Sequence, residues 1–253
     1  METKNTKVSF KKEILQKAGL SGTLKENEPL APHTTWGIGG PARYFLEAKT
    51  LKDIIYGLEF ARNNKIPWYV IGNGSNLLIP DSGFSGIVIK PGKSPDRIII
   101  KKSSIWVSAG ESLTNLLTTA NKYGISSFNF LAGIPASAGG AITMNAGSFG
   151  FSISKLVKEV YFLDKDLKVK SLPVFKCGFG YRESIFKNSS KIVLGAKFKS
   201  RLKENLPDIE KIINQRKRKI PSSPSPGCIF KNPKNTDLSA GELIDYAGCK
   251  GLS

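Results

Sequence analysis

The chain reads Trp68-Tyr69-Val70-Ile71-Gly72-Asn73-Gly74-Ser75-Asn76-Leu77-Leu78-Ile79-Pro80 where a predicted strand meets a glycine-containing loop. A Rossmann dinucleotide-binding loop needs Gly-x-Gly-x-x-Gly leading into a helix, so that the pyrophosphate lies on the helix N-terminus. Here the sixth position is Leu77, and Pro80 interrupts the next residues too early for a helix. Successive backbone N–H groups can still bind an anion, with Ser75 and Asn76 as further donors. The alternative interpretation is a plain hairpin turn.

The spacing of apolar residues predicts three helices, over residues 51–64, 112–123 and 207–218. The first helix follows Thr50, and Asp53 stands three residues later, as in a capping box. We expect strands at residues 42–48, 68–71, 87–89, 105–108, 157–163 and 191–199. The predicted class is therefore α+β.

A second glycine-rich stretch runs from Ile134 to Gly147 and has nothing larger than Ile142 or Met144 at most positions. Small side chains allow a backbone to pack closely against a flat ligand. The same composition is compatible with a tight helix-packing or loop segment.

Residues 221–233 form a proline-rich segment that contains Gly227-Cys228-Ile229-Phe230-Lys231-Asn232-Pro233. Proline restricts the backbone and glycine lets it approach a bound group, so Cys228, Lys231 and Asn232 would be held in a defined geometry. A linker is the alternative interpretation of the prolines alone.

The chain has 253 residues, and its 38 Lys and Arg against 20 Asp and Glu give a formal charge of +18. The lysines are dispersed along the chain. The one dense basic block, residues 216–219, ends a predicted helix, where the helix dipole also favours cations. Because no helix-turn-helix, RNA-binding or zinc-finger pattern accompanies the charge, we expect no nucleic-acid partner.

No apolar run reaches membrane-spanning length, and residues 1–17 carry charges throughout, unlike a signal peptide. We therefore expect a cytoplasmic protein without a membrane partner. Cys177, Cys228 and Cys249 are an odd number without metal-type spacing, which fits a reducing compartment and predicts no metal site.

Five ordered motifs resemble those of the UDP-N-acetylenolpyruvoylglucosamine reductases, flavoenzymes that complete UDP-N-acetylmuramate. The segment from Gly227 to Pro233 is similar to the Gly-Ser-x-Phe-Lys-Asn-Pro signature of that family. The other four matches are His33 to Ala42, Ile71 to Leu78, Ala132 to Gly147, and Tyr181-Arg182-Glu183-Ser184-Ile185-Phe186. The resemblance implies a two-subdomain FAD-binding module of the vanillyl-alcohol-oxidase type, followed by a smaller α+β substrate-binding domain.

The resemblance also implies the site residues. The expected FAD contacts are Thr35, Gly72, Asn73, Gly74, Ser75, Asn76, Leu77, Gly133, Ile134, Pro135, Ser137, Gly139, Gly140, Asn145 and Gly147. The expected substrate contacts are Tyr181, Lys219 and Asn232. We expect non-covalent FAD, because no histidine or cysteine is placed for attachment; His33, the only histidine, is interpreted as structural or as a distant flavin-side contact.

The implied reaction reduces an enolpyruvyl ether with NADPH as co-substrate. A hydride reaches the terminal carbon and a proton the adjacent one, while negative charge builds on the carboxylate. Arg182 would bind that carboxylate with its planar charged fork, and Cys228 would donate the proton. Serine is usual at the position of Cys228, so the thiol is a departure from the family pattern.

The predicted domains are an N-terminal helical extension (1–30), two FAD-binding subdomains (31–100 and 101–202) and the substrate-binding domain (203–253). Members of the family usually continue past residue 253 and carry a third catalytic residue, a glutamate, in that tail. The sequence therefore leaves two alternatives, an active reductase or an FAD-binding member with impaired catalysis. We expect a monomer.

Overall fold

The computed structural model describes residues 19–92, 97–201, 208–219 and 223–252. Within these residues the strands form a four-stranded sheet, a five-stranded sheet and a short hairpin. The two larger sheets follow one another along the chain, and the predicted α+β class is confirmed.

The first sheet has the strand order β1-β2-β4-β3. Its strands are β1 (Thr23–Pro29), β2 (Pro41–Ala48), β3 (Trp68–Val70) and β4 (Phe84–Pro91). Strand β1 is antiparallel to β2, whereas β4 is parallel to both β2 and β3. The carboxyl ends of β2, β3 and β4 therefore lie at the same edge of the sheet.

Helix α1 (Leu51–Asn63) packs its apolar face on this sheet, where Ile54 and Leu58 join a core with Leu46 and Ile89. The Thr50 hydroxyl accepts a hydrogen bond from the Asp53 N–H, and the Asp53 carboxylate accepts one from the Thr50 N–H. The predicted capping box is thus confirmed.

The predicted helical extension over residues 1–30 is wrong for residues 23–29, which form strand β1. Residues 1–18 lie outside the described part of the chain. Strand β1 exposes most of its side chains and is held by backbone pairing with β2, so it has no apolar periodicity to detect.

The second sheet is antiparallel throughout and has the order β10-β9-β11-β6-β5. Its strands are β5 (Ile98–Lys101), β6 (Ser104–Ser108), β9 (Val157–Leu163), β10 (Val169–Pro173) and β11 (Ile192–Lys199). Because β5 pairs with β6, the second unit begins before the predicted boundary at residue 101. The hairpin consists of β7 (Gly147–Ser148) and β8 (Phe151–Ser152).

Three helices contribute to the large core beside this sheet: α2 (Leu113–Lys122), α3 (Ala138–Thr143) and α4 (Ile209–Lys219). Ile212 of α4 is fully buried there. Short 3-10 helices cover Ala31–His33, Asn129–Leu131, Ile153–Lys155 and Val174–Lys176.

Residues 223–252 form loops and helix α5 (Ala240–Tyr246), with mostly exposed side chains. This segment is tied to the first sheet unit by a pair of hydrogen bonds between Thr35 and Ser225. Of the helices in the described ranges, none has the length and apolar character needed to cross a bilayer.

Candidate active site

The loop 72–76 leaves the carboxyl end of β3, at the edge where open sheets commonly bind ligands. As predicted, it does not lead into a helix. The backbone N–H groups of these five residues donate to no other residue that the structure describes. A loop with several free donors is suited to an anion.

Two glycines in this loop leave no space for a side chain. A Cβ at Gly72 would collide with the Ser137 hydroxyl oxygen. Gly74 has φ +64°, and a Cβ there would overlap the His33 carbonyl oxygen and approach the Thr34 Cα to 2.7 Å. These close approaches place the loop against both the 33–35 segment and the second glycine-rich stretch.

The second glycine-rich stretch contains helix α3, which the sequence analysis did not predict. Ser137 caps this helix by accepting a hydrogen bond from the Gly140 N–H at 3.2 Å. A Cβ at Gly139 would come within 2.8 Å of the Ala109 Cβ. The small residues of this stretch therefore allow close packing between protein elements, in addition to their expected role of lining the flat ring system of the cofactor.

Besides Ser137, two of the expected FAD contacts have side chains that bond to protein. Asn145 donates through Nδ2 to the Gly180 carbonyl at 2.8 Å and accepts through Oδ1 from the Ser154 N–H at 3.2 Å. Thr35 donates through Oγ1 to the Ser225 carbonyl at 3.0 Å. Both residues join segments around the site, and their contact with FAD stays a prediction.

Tyr181 and Arg182 occupy the centre of a tight turn in which Gly180 and Glu183 exchange backbone hydrogen bonds of 3.1 and 3.2 Å. Arg182 has φ +59°, a conformation that costs about 1–3 kcal/mol for a residue with a side chain. Its two terminal nitrogens lie 3.5 Å from the Gly147 carbonyl oxygen, at the long limit for hydrogen bonds. The guanidinium is thus oriented but weakly held.

The segment with Cys228 approaches this turn. The Asn232 N–H donates to the Tyr181 hydroxyl at 3.3 Å, and the Asn232 Oδ1 accepts from the Ala240 N–H at 3.1 Å. Lys231 forms an exposed ion pair with Glu183 at 3.5 Å. Cys228 itself is exposed.

For two other predicted residues, Lys219 and His33, the structure describes no side-chain contact with the site. Lys219 ends helix α4, but its side chain lies outside the described residues. His33 contacts Glu28 at 3.1 Å and Lys90 at 3.3 Å, and its ring stacks on Phe45, so the described contacts are structural ones.

Arg216 is absent from the site residues expected from the sequence, because its only visible role there is in the basic block of residues 216–219. It follows Ile209, Ile212 and Ile213 at helical spacing, and this inward position was the available signal. A Cβ at Gly133 would lie 2.9 Å from the Arg216 Cδ, so this side chain packs beside the second glycine-rich stretch. Burial is the main cause that lowers the pKa of Arg216; Cys228 raises it, and Arg182 lowers it further.

The residues present fit a flavin dinucleotide. The 72–76 loop offers free N–H donors where side chains are excluded, and Arg216 has two buried nitrogens without a partner among the described residues. A pyrophosphate needs such donors, and a flat ring system needs close backbone.

Comparison with known proteins agrees with this geometry. An FAD binding domain family matches residues 42–172. The UDP-N-acetylenolpyruvoylglucosamine reductase of Carboxydothermus hydrogenoformans is 36% identical over 250 residues, covering 97% of this chain and 82% of the relative. The enzyme of the same name from Anoxybacillus flavithermus is 38% identical over 237 residues, covering 92% and 78%.

Solved structures give the same result. The UDP-N-acetylenolpyruvylglucosamine reductase of Thermus caldophilus superposes with a TM-score of 0.73 at 32% identity, covering 92% of this chain and 82% of that one. A solvent-stable cholesterol oxidase has a TM-score of 0.56 at 13% identity, over 70% and 38% of the two chains, and shows a shared fold only. The chain belongs to the UDP-N-acetylenolpyruvoylglucosamine reductase family.

Proposed function

We propose that this protein binds FAD non-covalently and uses NADPH to reduce UDP-N-acetylglucosamine enolpyruvate to UDP-N-acetylmuramate. One observation carries the proposal beyond family membership. The Asn232 N–H, in the segment containing Cys228, donates to the Tyr181 hydroxyl, and the Arg182 guanidinium of the same turn lies 3.5 Å from the Gly147 carbonyl oxygen, at one end of the second glycine-rich stretch. A group that can bind a carboxylate and a group that can donate a proton are thus carried by two segments that contact each other there.

FAD would be held by the 72–76 loop and the 133–147 segment. When bound, it supplies hydride transfer, because a flavin can take a hydride from a nicotinamide and give it to a second substrate. The loop would hold the pyrophosphate through the free N–H groups of residues 72–76. The close approach of Gly72 to Ser137 brings these two segments next to each other.

Arg182 would bind the carboxylate of the enolpyruvyl group. Its guanidinium is only weakly engaged by the Gly147 carbonyl, so a carboxylate can replace that contact with two charge-assisted hydrogen bonds. As negative charge builds on the carboxylate, the fixed positive charge of Arg182 stabilises it. The strained conformation of Arg182 is consistent with a residue oriented for binding.

Cys228 would donate the proton to the carbon adjacent to the carboxylate. The thiol is exposed and forms no disulfide, and Gly227 before it has φ +78°, in the left-handed region that favours glycine. The Thr35–Ser225 and Asn232–Tyr181 hydrogen bonds anchor the segment on both sides of Cys228. A thiol is a stronger acid than the usual serine hydroxyl and can serve the same role.

The test separates the two half-reactions in protein expressed from its whole coding sequence. Cys228→Ala should leave reduction of the flavin by NADPH near normal. It should slow oxidation of the reduced flavin by the enolpyruvyl substrate by at least about a hundredfold, as expected on loss of a general acid. Rapid-mixing absorbance of the flavin measures both steps.

Cys249→Ala is the matched control, because Cys249 is also an exposed, unpaired thiol. Cys228→Ser should retain much of the activity, since a hydroxyl can also donate a proton. An alanine variant that oxidises the reduced flavin at the wild-type rate would show that the proton comes from another group. Purified protein that binds no FAD would refute the whole proposal.

A further inference from the structure

His33 belongs to a segment that packs against the loop 72–76. A Cβ at Gly74, in the middle of the loop, would overlap the His33 carbonyl oxygen. The Thr35 N–H donates to the Gly74 carbonyl at 3.5 Å. On its other side Thr35 exchanges hydrogen bonds with Ser225, at the start of the segment that carries the proposed proton donor. The placement of this segment therefore affects both parts of the proposed site.

The partners of the His33 ring decide which ring nitrogen carries hydrogen. The Glu28 Oε1 lies 3.1 Å from Nε2, and the Lys90 Nζ lies 3.3 Å from Nδ1. The hydrogen bond from Lys25 is the main cause that lowers the pKa of Glu28, so this carboxylate is ionised and can only accept. An ammonium group can only donate. The ring is therefore neutral, with its hydrogen on Nε2 and its lone pair on Nδ1.

Lys90 connects this ring to the strand beside the loop. Lys90 belongs to β4, and the N–H of Ile71, the residue before the loop, donates to the carbonyl of the neighbouring Ile89 at 3.0 Å. The His33 ring also stacks on Phe45 of β2, with 4.3 Å between the ring centroids. The contact between Lys90 and His33 thus joins the strand at the start of the loop to the segment that packs on its middle.

A proton on Nδ1 of His33 would remove the acceptor that Lys90 uses. Two positive groups would then face each other across 3.3 Å, and they would repel. Lys90 is partly buried, which is the main cause that lowers its pKa, while Glu47 on β2 raises that pKa. Glu28 would attract the charged ring but could not restore the lost contact. The loop 72–76 itself has no charged side chain that could do so.

We propose that His33 is a positioning residue for the loop 72–76 and acts in its neutral form, so that FAD binding weakens when the ring gains a proton. This inference rests on the proposed function, in which the loop holds FAD. Loss of the Lys90 contact would release the segment on which Gly74 packs. Imidazole groups in general change their charge between pH 5 and 8, so the effect falls in a range where FAD binding can be measured.

The first measurement identifies the ring form directly. His33 is the only histidine of the chain, so nitrogen NMR of untagged protein with isotope-labelled histidine reports on this ring alone. At pH 8 the spectrum should show hydrogen on Nε2 and a free lone pair on Nδ1. A neutral ring with its hydrogen on Nδ1 would overturn the inference, because Lys90 could not then donate to it.

The second measurement titrates flavin-free protein with FAD at pH values from 8 down to 5.5 and follows the flavin fluorescence. The wild-type Kd should rise at least about fivefold over this range, the lower end of typical coupling between two sites. His33→Asn should show no such rise, because its amide oxygen can accept from Lys90 but cannot take up a proton. Lys90→Gln should also show none, because it removes the charge that the protonated ring would face.

Lys101→Gln is the matched control, since Lys101 is an exposed lysine at the end of β5, and it should keep the wild-type pH dependence. A wild-type Kd that stays constant with pH, or an equal rise in His33→Asn, would overturn the inference. So would tighter binding in acid, which would mean that the charged ring attracts the pyrophosphate. If His33→Asn does not fold, Lys90→Gln decides alone. Wild-type protein that binds no FAD at any pH would instead refute the proposed function, and this inference with it.

Discussion

The loop 72–76, whose backbone N–H groups are proposed to bind FAD, has no free space for the methyl group that Gly74→Ala would add. Gly74 has φ +64°, and a Cβ there would overlap the His33 carbonyl and lie 2.7 Å from the Thr34 Cα. The left-handed conformation alone costs an alanine about 1–2 kcal/mol. The overlap involves backbone atoms that cannot rotate away, and overpacking of this kind adds about 1–3 kcal/mol.

Gly37→Ala separates these two effects. Gly37 has φ +73°, but a Cβ there would meet nothing within 4 Å, so this variant carries the conformational cost alone. We expect Gly37→Ala to lose stability and keep its affinity for FAD. Gly74→Ala should lose about 1–3 kcal/mol more, and displacement of the loop should raise the Kd for FAD at least about tenfold.

The assay titrates flavin-free protein with FAD and follows quenching of the flavin fluorescence, while thermal unfolding reports stability. The extra destabilisation of Gly74→Ala over Gly37→Ala should appear as a Tm lower by about 2 °C or more. If the two variants unfold at the same temperature and bind FAD equally well, the close approach of the loop to residues 33–34 is not needed for the site, and the reasoning fails.

Two further predictions concern buried titratable groups. Burial alone would raise the pKa of Asp53, but hydrogen bonds from the Thr50, Lys49 and Ser21 N–H groups outweigh it and lower that pKa below 3.8. Asp53→Ala should therefore lower the free energy of unfolding by about 0.5–2 kcal/mol at neutral pH. The difference in stability between this variant and the wild type should shrink below pH 3.8, where the carboxylate becomes protonated, and denaturant unfolding at several pH values measures it. Burial raises the pKa of Cys177 to about 11. A thiol reagent should therefore label the exposed Cys228 and Cys249 quickly and Cys177 only when the protein unfolds. Rapid labelling of all three cysteines would contradict the burial of Cys177.

Local patterns in the sequence predicted much of the fold. Helix α1, with its capping box at Thr50 and Asp53, follows directly from apolar spacing and cap chemistry. The strands predicted at 42–48 and 157–163 agree with β2 and β9 because these inner strands carry apolar side chains at most positions. The two glycine-rich stretches and the Cys228 segment were also recognisable, since their residue types and order resemble one family.

The strands that local patterns missed are edge strands. Strands β1, β5 and β10 each pair on one side only, and β1 and β10 expose most of their side chains. Such strands depend on backbone hydrogen bonds to a neighbour that is distant in sequence, so they leave little apolar periodicity. Helix α3 was missed because its six residues are too short for a helical pattern to repeat.

The site shows the same division. The sequence by itself determined which residues could do the chemistry, Arg182 and Cys228, because side-chain type sets what a group can bind or donate. Only the tertiary structure decided that Asn145 and Thr35 bond to protein and that two buried nitrogens of Arg216 have no partner among the described residues. Those properties depend on partners tens of residues away, and only packing brings such partners together.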